Sequence, residues 1–163
     1  MALTHSNKQP SFSAYEFADV CYHFATLFKN NATLQSDYGT GDVYTSLEVH
    51  TVSRIEDNPG ITVTEIAEQT GRTKGAVSQI LTKLESKGLV RREKDPQNPR
   101  RVCLYVTPDG LALSRLHKQY DEDNTRMLLD RWIALYGYDA VEKHFLIMQD
   151  HIREVTDYLS KQK

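Results

Sequence analysis

The stretch that decides the fold is Ile61-Thr62-Val63-Thr64-Glu65-Ile66-Ala67-Glu68-Gln69-Thr70-Gly71-Arg72-Thr73-Lys74-Gly75-Ala76-Val77-Ser78-Gln79-Ile80-Leu81-Thr82-Lys83-Leu84. Thr62 and Glu65 have the spacing of a capping box. The threonine hydroxyl accepts from an orphan helix N–H, and the carboxylate reaches back to the cap. A short helix over 63–70 follows, turning Ile66 and the small Ala67 inward. Gly71, four residues after Ala67, lets the chain turn sharply. A second helix, from about 74 to 87, packs inward through Val77, Ile80, Leu81 and Leu84. Gly88 is placed to close it in the left-handed conformation. This is the internal logic of a helix-turn-helix.

The outer face of the second helix is small, polar and basic. It carries Gly75, Ser78, Gln79, Thr82 and Lys83, with Thr73 and Lys74 at its start. An α-helix fits the major groove of DNA, where Gln and Ser can hydrogen-bond base edges. Thr73, Lys74 and the helix N-terminus can meet phosphate. Gly75 gives up about 1 kcal/mol of helix stability relative to Ala, a choice that close approach to a groove explains.

Beyond Gly88 the period changes. Residues 89–94 and 102–107 are short and rich in β-branched side chains, with Val102, Leu104 and Val106 alternating with Cys103 and Tyr105. The turn-rich 95–101 segment between them predicts a β-hairpin with a projecting tip. A basic ribbon directly after a helix-turn-helix makes a winged helix. The wing would carry Arg92, Lys94, Arg100 and Arg101 to the backbone or the minor groove.

Charge follows the same division. The chain of 163 residues has a formal net charge of -2, which taken whole argues against a nucleic-acid partner. Between Arg72 and Arg101, however, nine basic residues face only Glu85, Glu93 and Asp95, leaving +6 in 30 residues and -8 in the other 133. A basic segment in an acidic body is the footprint of a polyanion-binding face. Charge alone leaves an ordinary solvated basic surface equally open.

The flanks read as long helices. Ser13/Glu16, Thr45/Glu48 and Asp139/Glu142 also have capping-box spacing. A first helix over about 14–34 carries Phe17, Val20, Cys21, Phe24, Leu27 and Phe28 on one side. Residues 36–44 read as a loop around Gly39 and Gly41. A second helix holds Leu47, Val49 or His50, Val52 and Ile55, and Asn58-Pro59-Gly60 ends it. Thr107-Pro108 reads as a cap with proline at the first helical position. It opens a helix to about Tyr136, stopped by Gly137. The last helix carries Val141, Phe145, Met148, Ile152, Val155 and Leu159 at spacings of four and three, a coiled-coil-like seam. The expected fold is mainly α with a small β-wing: residues 1–44 an N-terminal arm and first dimerisation helix, 45–107 a winged helix-turn-helix DNA-binding domain, and 108–163 C-terminal dimerisation helices.

Composition narrows the class. The chain is 39% hydrophobic and 26% charged, with a mean hydropathy of -0.55. Its longest apolar runs are about four residues, such as Phe145-Leu146-Ile147-Met148, against roughly 20 for a membrane-spanning helix. Met1-Ala2-Leu3-Thr4-His5-Ser6 lacks a basic and then apolar leader. Two cysteines, Cys21 and Cys103, cannot build a disulfide framework. The expectation is a cytoplasmic protein without a membrane partner. No nucleophile elbow, P-loop, dinucleotide fingerprint or metalloprotease helix occurs, so no enzyme and no cofactor is expected.

At this point the sequence resembles the MarR family of bacterial winged-helix regulators. The resemblance is carried by Ile61 to Glu68, by Thr73-Lys74-Gly75-Ala76-Val77-Ser78, and by Leu84-Glu85-Ser86-Lys87-Gly88-Leu89-Val90. Arg91-Arg92, Asp95-Pro96, Arg100 and Val106-Thr107-Pro108-Asp109-Gly110 complete it. It covers about a third of the chain. The resemblance implies a homodimer of interleaved terminal helices, for which Phe17, Phe24, Phe28, Trp132, Phe145, Met148, Ile152 and Val155 supply apolar area. It implies a repressor reading a pseudo-palindromic operator on double-stranded DNA, with Arg100 as the wing arginine that contacts DNA. One departure is Asn98, which stands where the family's wing usually has an Asp; it can accept a hydrogen bond from Arg100 but brings no charge.

The resemblance also implies a small aromatic or phenolic effector, bound between the dimer helices and the DNA module. Two other sensing modes of relatives have counterparts here. Cys21 lies in the first helix, as an oxidant-sensing cysteine does, although Asp19 and His23 offer no clear thiolate support. Some relatives sense zinc, for which Glu48, His50 and His117 are candidate ligands. Their spacing is not that of a tight site and Glu48 already has a capping role, so no metal is expected. His144 and His151, seven apart, share a face. An oxidant- or metal-responsive regulator, or a winged helix used for protein docking, is the alternative.

Overall fold

The computed structural model describes residues 10–31 and 35–161, apart from the side chains of residues 28–31 and 160. Leu34 and the side chain of Phe28 therefore lie outside the described residues. The elements are α1 (Ala14–Asn31), β1 (Gln35–Ser36), β2 (Tyr44–Thr45), α2 (Ser46–Asp57), α3 (Val63–Thr70), α4 (Lys74–Ser86), β3 (Val90–Lys94), β4 (Val102–Val106), α5 (Pro108–Tyr136) and α6 (Tyr138–Ser160). Mostly helical, with a small two-stranded wing, this is the expected class.

Local chemistry explains most boundaries. Complete capping boxes open α2 at Thr45/Glu48 and α3 at Thr62/Glu65. Ser13 and Glu16 exchange the same bonds before α1. Thr107 accepts from the Gly110 N–H and Pro108 follows it, so α5 starts as proline chemistry predicts. Gly71 takes φ +63° and Gly88 φ +70°, left-handed values that side chains other than glycine adopt at a cost.

Two expectations are corrected. Asp139 does not cap α6 in a box with Glu142: Gly137 alone joins α5 to α6, and no side chain caps the new helix. Asp139 instead sits in the first turn, where its charge suits the helix dipole. The 36–44 loop is also pinned at its ends, where β1 and β2 pair antiparallel, Gln35 with Thr45 and Ser36 with Tyr44.

The core lies in the middle of the chain. Val49, Val52 and Ile55 of α2 meet Ile66 of α3, Val77, Leu81 and Leu84 of α4, and Leu104 of β4. It draws in Tyr38 and Tyr44 before 45–107 and Leu113 after it. Beyond its first three turns α5 buries no residue completely, and neither does α6 among its described side chains. The join of wing to α5 is close: a Cβ on Gly110 would stand 1.9 Å from the Leu89 carbonyl oxygen. Glycine is therefore required there for helix and strand to meet. Gly60 N–H donates to Leu104 O at 3.0 Å and Leu104 N–H to Ile61 O at 2.9 Å, tying the α2–α3 connection to the wing.

Candidate nucleic-acid interface

The helix expected to read bases is α4. Thr73 caps it, accepting from the Ala76 N–H at 3.2 Å. Val77, Leu81 and Leu84 are buried, with Ile80 partly so. Thr73, Lys74, Gly75, Gln79, Thr82 and Lys83 are exposed, and Ser78 is half-buried. The apolar spacing thus turns the polar residues outward together. A Cβ on Gly75 would meet nothing within 4 Å, so no internal contact demands glycine there. The Thr82 hydroxyl is engaged with Ser78 O at 2.9 Å.

Lys83 is held differently from its neighbours. Its Nζ lies 3.0 Å from Glu48 Oε1, and Lys87 Nζ lies 3.6 Å from the same oxygen. The other carboxylate oxygen accepts from Thr45 N–H at 2.8 Å. Burial alone would raise the Glu48 carboxyl. The Thr45 bonds and the two lysines outweigh it and hold the group below the usual glutamate range. Lys87 also donates to Val43 O and lies over the Tyr44 ring. The start of α2 therefore grips the C-terminal half of α4.

The wing is a five-pair antiparallel ladder from Val90↔Val106 to Lys94↔Val102. Strand alternation sorts its basic residues. Arg91 pairs with Glu93 at 2.7 Å and lies over the Tyr105 ring. On the other face Arg92 reaches Glu85 of α4 at 3.4 Å. At the tip, Arg101 lies 3.7 Å from Glu65 and 4.0 Å from Asp95. Asn98 Oδ1 accepts from the backbone N–H of Arg100 at 3.2 Å rather than from its guanidinium. Among the described residues Arg72, Lys74, Lys94 and Arg100 make no ion pair. Lys83 and Lys87 share Glu48 and Arg101 meets Glu65, two acids from outside the 72–101 segment, which takes its +6 to +4. The unpaired positive charge stands at the start of α4 and on the wing.

Glu48, offered by the sequence as a metal ligand, is committed to its cap and its lysines. His50 and His117 do meet, with Asp121 as a third neighbour that the sequence reading missed. Its signal was the four-residue step from His117 along α5. Of the terminal apolar residues, Phe17, Phe24, Phe145, Ile152 and Val155 are exposed, and Trp132 and Met148 are half-buried. Trp132 meets the His144 ring edge-on at 5.8 Å. Cys21 is half-buried and Cys103 buried.

Comparison with known proteins agrees with this geometry. Residues 44–102 match the MarR family model. The chain is 38% identical over 89 residues to the helix-turn-helix-type transcriptional regulator YhjH of Bacillus subtilis, covering 55% of this chain and 51% of that one. It spans about half the length of the curated relatives it matches. Streptococcus pneumoniae FabT, solved in complex with DNA, has a TM-score of 0.62 at 23% identity over 90% of this chain and 99% of its own. S. aureus MepR, also solved with DNA, has a TM-score of 0.65 at 20% identity over 89% and 99%. These solved structures share the fold from α1 to α6. The likeness to the MarR family thus rests on the winged-helix segment, residues 44–102.

Proposed function

We propose that the chain is a transcriptional regulator, not an enzyme, that binds double-stranded DNA sequence-specifically as a homodimer and represses from a pseudo-palindromic operator. The observation that carries this reading is the shared outward face of Thr73, Lys74, Gly75, Ser78 and Gln79 beside a wing whose Lys94 and Arg100 are unpaired. In it Gln79 and Ser78 read base edges. Thr73 and Lys74 hold phosphate, with Arg92, Lys94, Arg100 and Arg101 tracking the backbone or minor groove. Thr82 and Lys83 border the contact. Relatives of the same fold solved on DNA support it.

The dimer reading rests on the helices outside the core. Residues 1–44 and 108–163 serve as dimerisation segments around the DNA-binding 45–107. Phe17 is 48% and Phe145 59% exposed, and α1 makes only marginal contact with the rest of the chain. Apolar area of that extent is covered in an oligomer. Phe24, Trp132, Met148, Ile152 and Val155 complete the surface. A small-molecule effector would act by shifting the spacing of the two recognition helices. An open cleft of about 610 Å³, lined by Thr70 of α3, Gly71 after it, and Ile152, Val155 and Leu159 of α6, offers it a place. No helix among the described residues is long and apolar enough to cross a membrane, in keeping with a cytoplasmic site of action.

A mobility-shift assay with DNA from upstream of the encoding gene tests the reading. A discrete shifted band that resists competitor DNA is expected; its absence would overturn it. Sedimentation at micromolar concentration is expected to give twice the 18.7 kDa chain mass, and a monomer would contradict the dimer.

A further inference from the structure

The segment from β1 to β2, residues 35–45, is a strap anchored on two different helices. Its first anchor is Tyr38, which is buried and packs edge-on against two rings of α5, Tyr120 at 5.1 Å and His117 at 5.3 Å. Its second anchor is Val43-Tyr44. Lys87, the C-cap of α4, donates from Nζ to the Val43 carbonyl at 3.0 Å. The same ammonium lies 4.2 Å from the centre of the buried Tyr44 ring.

The chain between the anchors is braced. The Thr40 hydroxyl lies 2.7 Å from Asp37 O and 3.1 Å from Asp42 O, and it accepts from the Asp42 N–H at 3.1 Å. The Gly39 N–H donates to the Asp37 carboxylate at 3.1 Å. Antiparallel pairing of Gln35 with Thr45 and Ser36 with Tyr44 closes the base. A segment tied in this way shifts as a unit.

The first anchor is also strained. Tyr38 has φ +48° and is the one non-glycine residue, among the described residues, in the left-handed region. A bulky side chain is rare there and persists only where its surroundings hold it. Burial of the ring and its edge-to-face contacts with Tyr120 and His117 are what offset the strain at Tyr38.

We propose that this strap couples the position of α5 to that of α4, with Tyr38 and Lys87 as positioning residues for DNA recognition. When α5 moves away from Tyr38, the residue relaxes to an ordinary φ. The braced turn then changes course, and Val43 and Tyr44 leave Lys87. Lys87 thereby serves DNA binding by seating α4, not by touching phosphate. The consequence for DNA affinity rests on the regulator reading; the transmission from α5 to α4 does not.

The test uses the full chain and the variants Tyr38→Leu, Tyr38→Phe, Lys87→Met and the double variant Tyr38→Leu/Lys87→Met. Amide hydrogen exchange reads the transmission without DNA. Tyr38→Leu is expected to speed exchange over residues 81–87 of α4 more than over α3, although Tyr38 stacks on α5. Tyr38→Phe keeps the ring and is expected to restore the parent pattern. Lys87→Met is expected to speed the same α4 amides, and the double variant no more than the larger single, because either change unties one strap. A rise shared equally by α2, α3 and α4, or singles that multiply in the double variant, would overturn the proposal. On a duplex from upstream of the encoding gene, Lys87→Met is expected to weaken binding about tenfold with the salt slope unchanged. A slope reduced by about 1 would make Lys87 a phosphate contact and overturn its positioning role. A parent chain that binds upstream and random duplexes alike would overturn the regulator reading, and the exchange pattern would still decide the coupling.

Discussion

Lys83 Nζ on the exposed side of α4 lies 3.0 Å from the carboxylate of Glu48, whose side chain is only 4% exposed. A residue that the sequence offers to DNA is thereby a fastener between α2 and α4. Glu48→Ala removes a helix cap and this fastening together. It is expected to cost about 1–3 kcal/mol in denaturant unfolding. A change within about 0.5 kcal/mol, the scale of an ordinary surface substitution, would show that the contact carries no weight. Lys83→Ala is expected to cost less, because the lysine is half-exposed and the Thr45 bonds remain.

Two glycines should respond in opposite ways to alanine. Gly75 stands in a helix with open space around it, so Gly75→Ala is expected to stabilise the fold by about 0.5–1 kcal/mol. The same methyl group would stand between α4 and the groove and lower DNA affinity. Gly110→Ala drives a Cβ into the Leu89 carbonyl and is expected to cost at least about 3 kcal/mol or prevent folding. Thermal melts of the two variants, with DNA titration of Gly75→Ala, check this. Unchanged affinity in Gly75→Ala would remove the close-approach explanation.

Glu65 links stability to pH. Its carboxylate accepts from the Thr62 N–H at 2.7 Å and from the Thr62 hydroxyl, which hold it below the usual value; Arg101 adds to this. A depressed folded pKa means that the unfolded chain binds the proton more readily. The contribution is therefore complete above the ordinary value of 4.5 and is lost as pH falls through the lowered folded value. Glu65→Gln should lower the thermal midpoint at pH 7 and flatten its decline in acid. Parallel pH profiles for parent and variant would contradict this.

Base reading and backbone holding are separable. Arg100→Ala is expected to weaken binding on every sequence and to reduce the salt slope by about 1. Gln79→Ala is expected to change base preference at one position, on the scale of 1–3 kcal/mol for a good base contact, by roughly that amount. Equal loss on operator and random DNA for Gln79→Ala would refute its reading role.

These residues also show what the chain's order of amino acids reveals. Signals confined to a few neighbouring residues were legible: the Thr45/Glu48 and Thr62/Glu65 boxes, Thr107-Pro108, the turn at Gly71, the outward face of α4 and the alternation of the wing. Asp139/Glu142 misled because the same spacing occurs inside a first turn when a lone glycine joins two helices. Long-range partners were not legible. Nothing near Lys83 announces Glu48, and nothing near Arg92 or Arg101 chooses Glu85 or Glu65. The His50–His117 contact depends on how α2 crosses α5, and Asp121 enters only once that crossing is known.

The central claim is specific DNA recognition by α4 and the wing. Fluorescence anisotropy across a salt series tests it most directly, comparing a duplex from upstream of the encoding gene with a random duplex of equal length. The account predicts a steep fall of both affinities with salt, and at physiological salt an upstream site bound at least about 10³-fold more tightly. Equal affinity for the two duplexes at every salt concentration would contradict it.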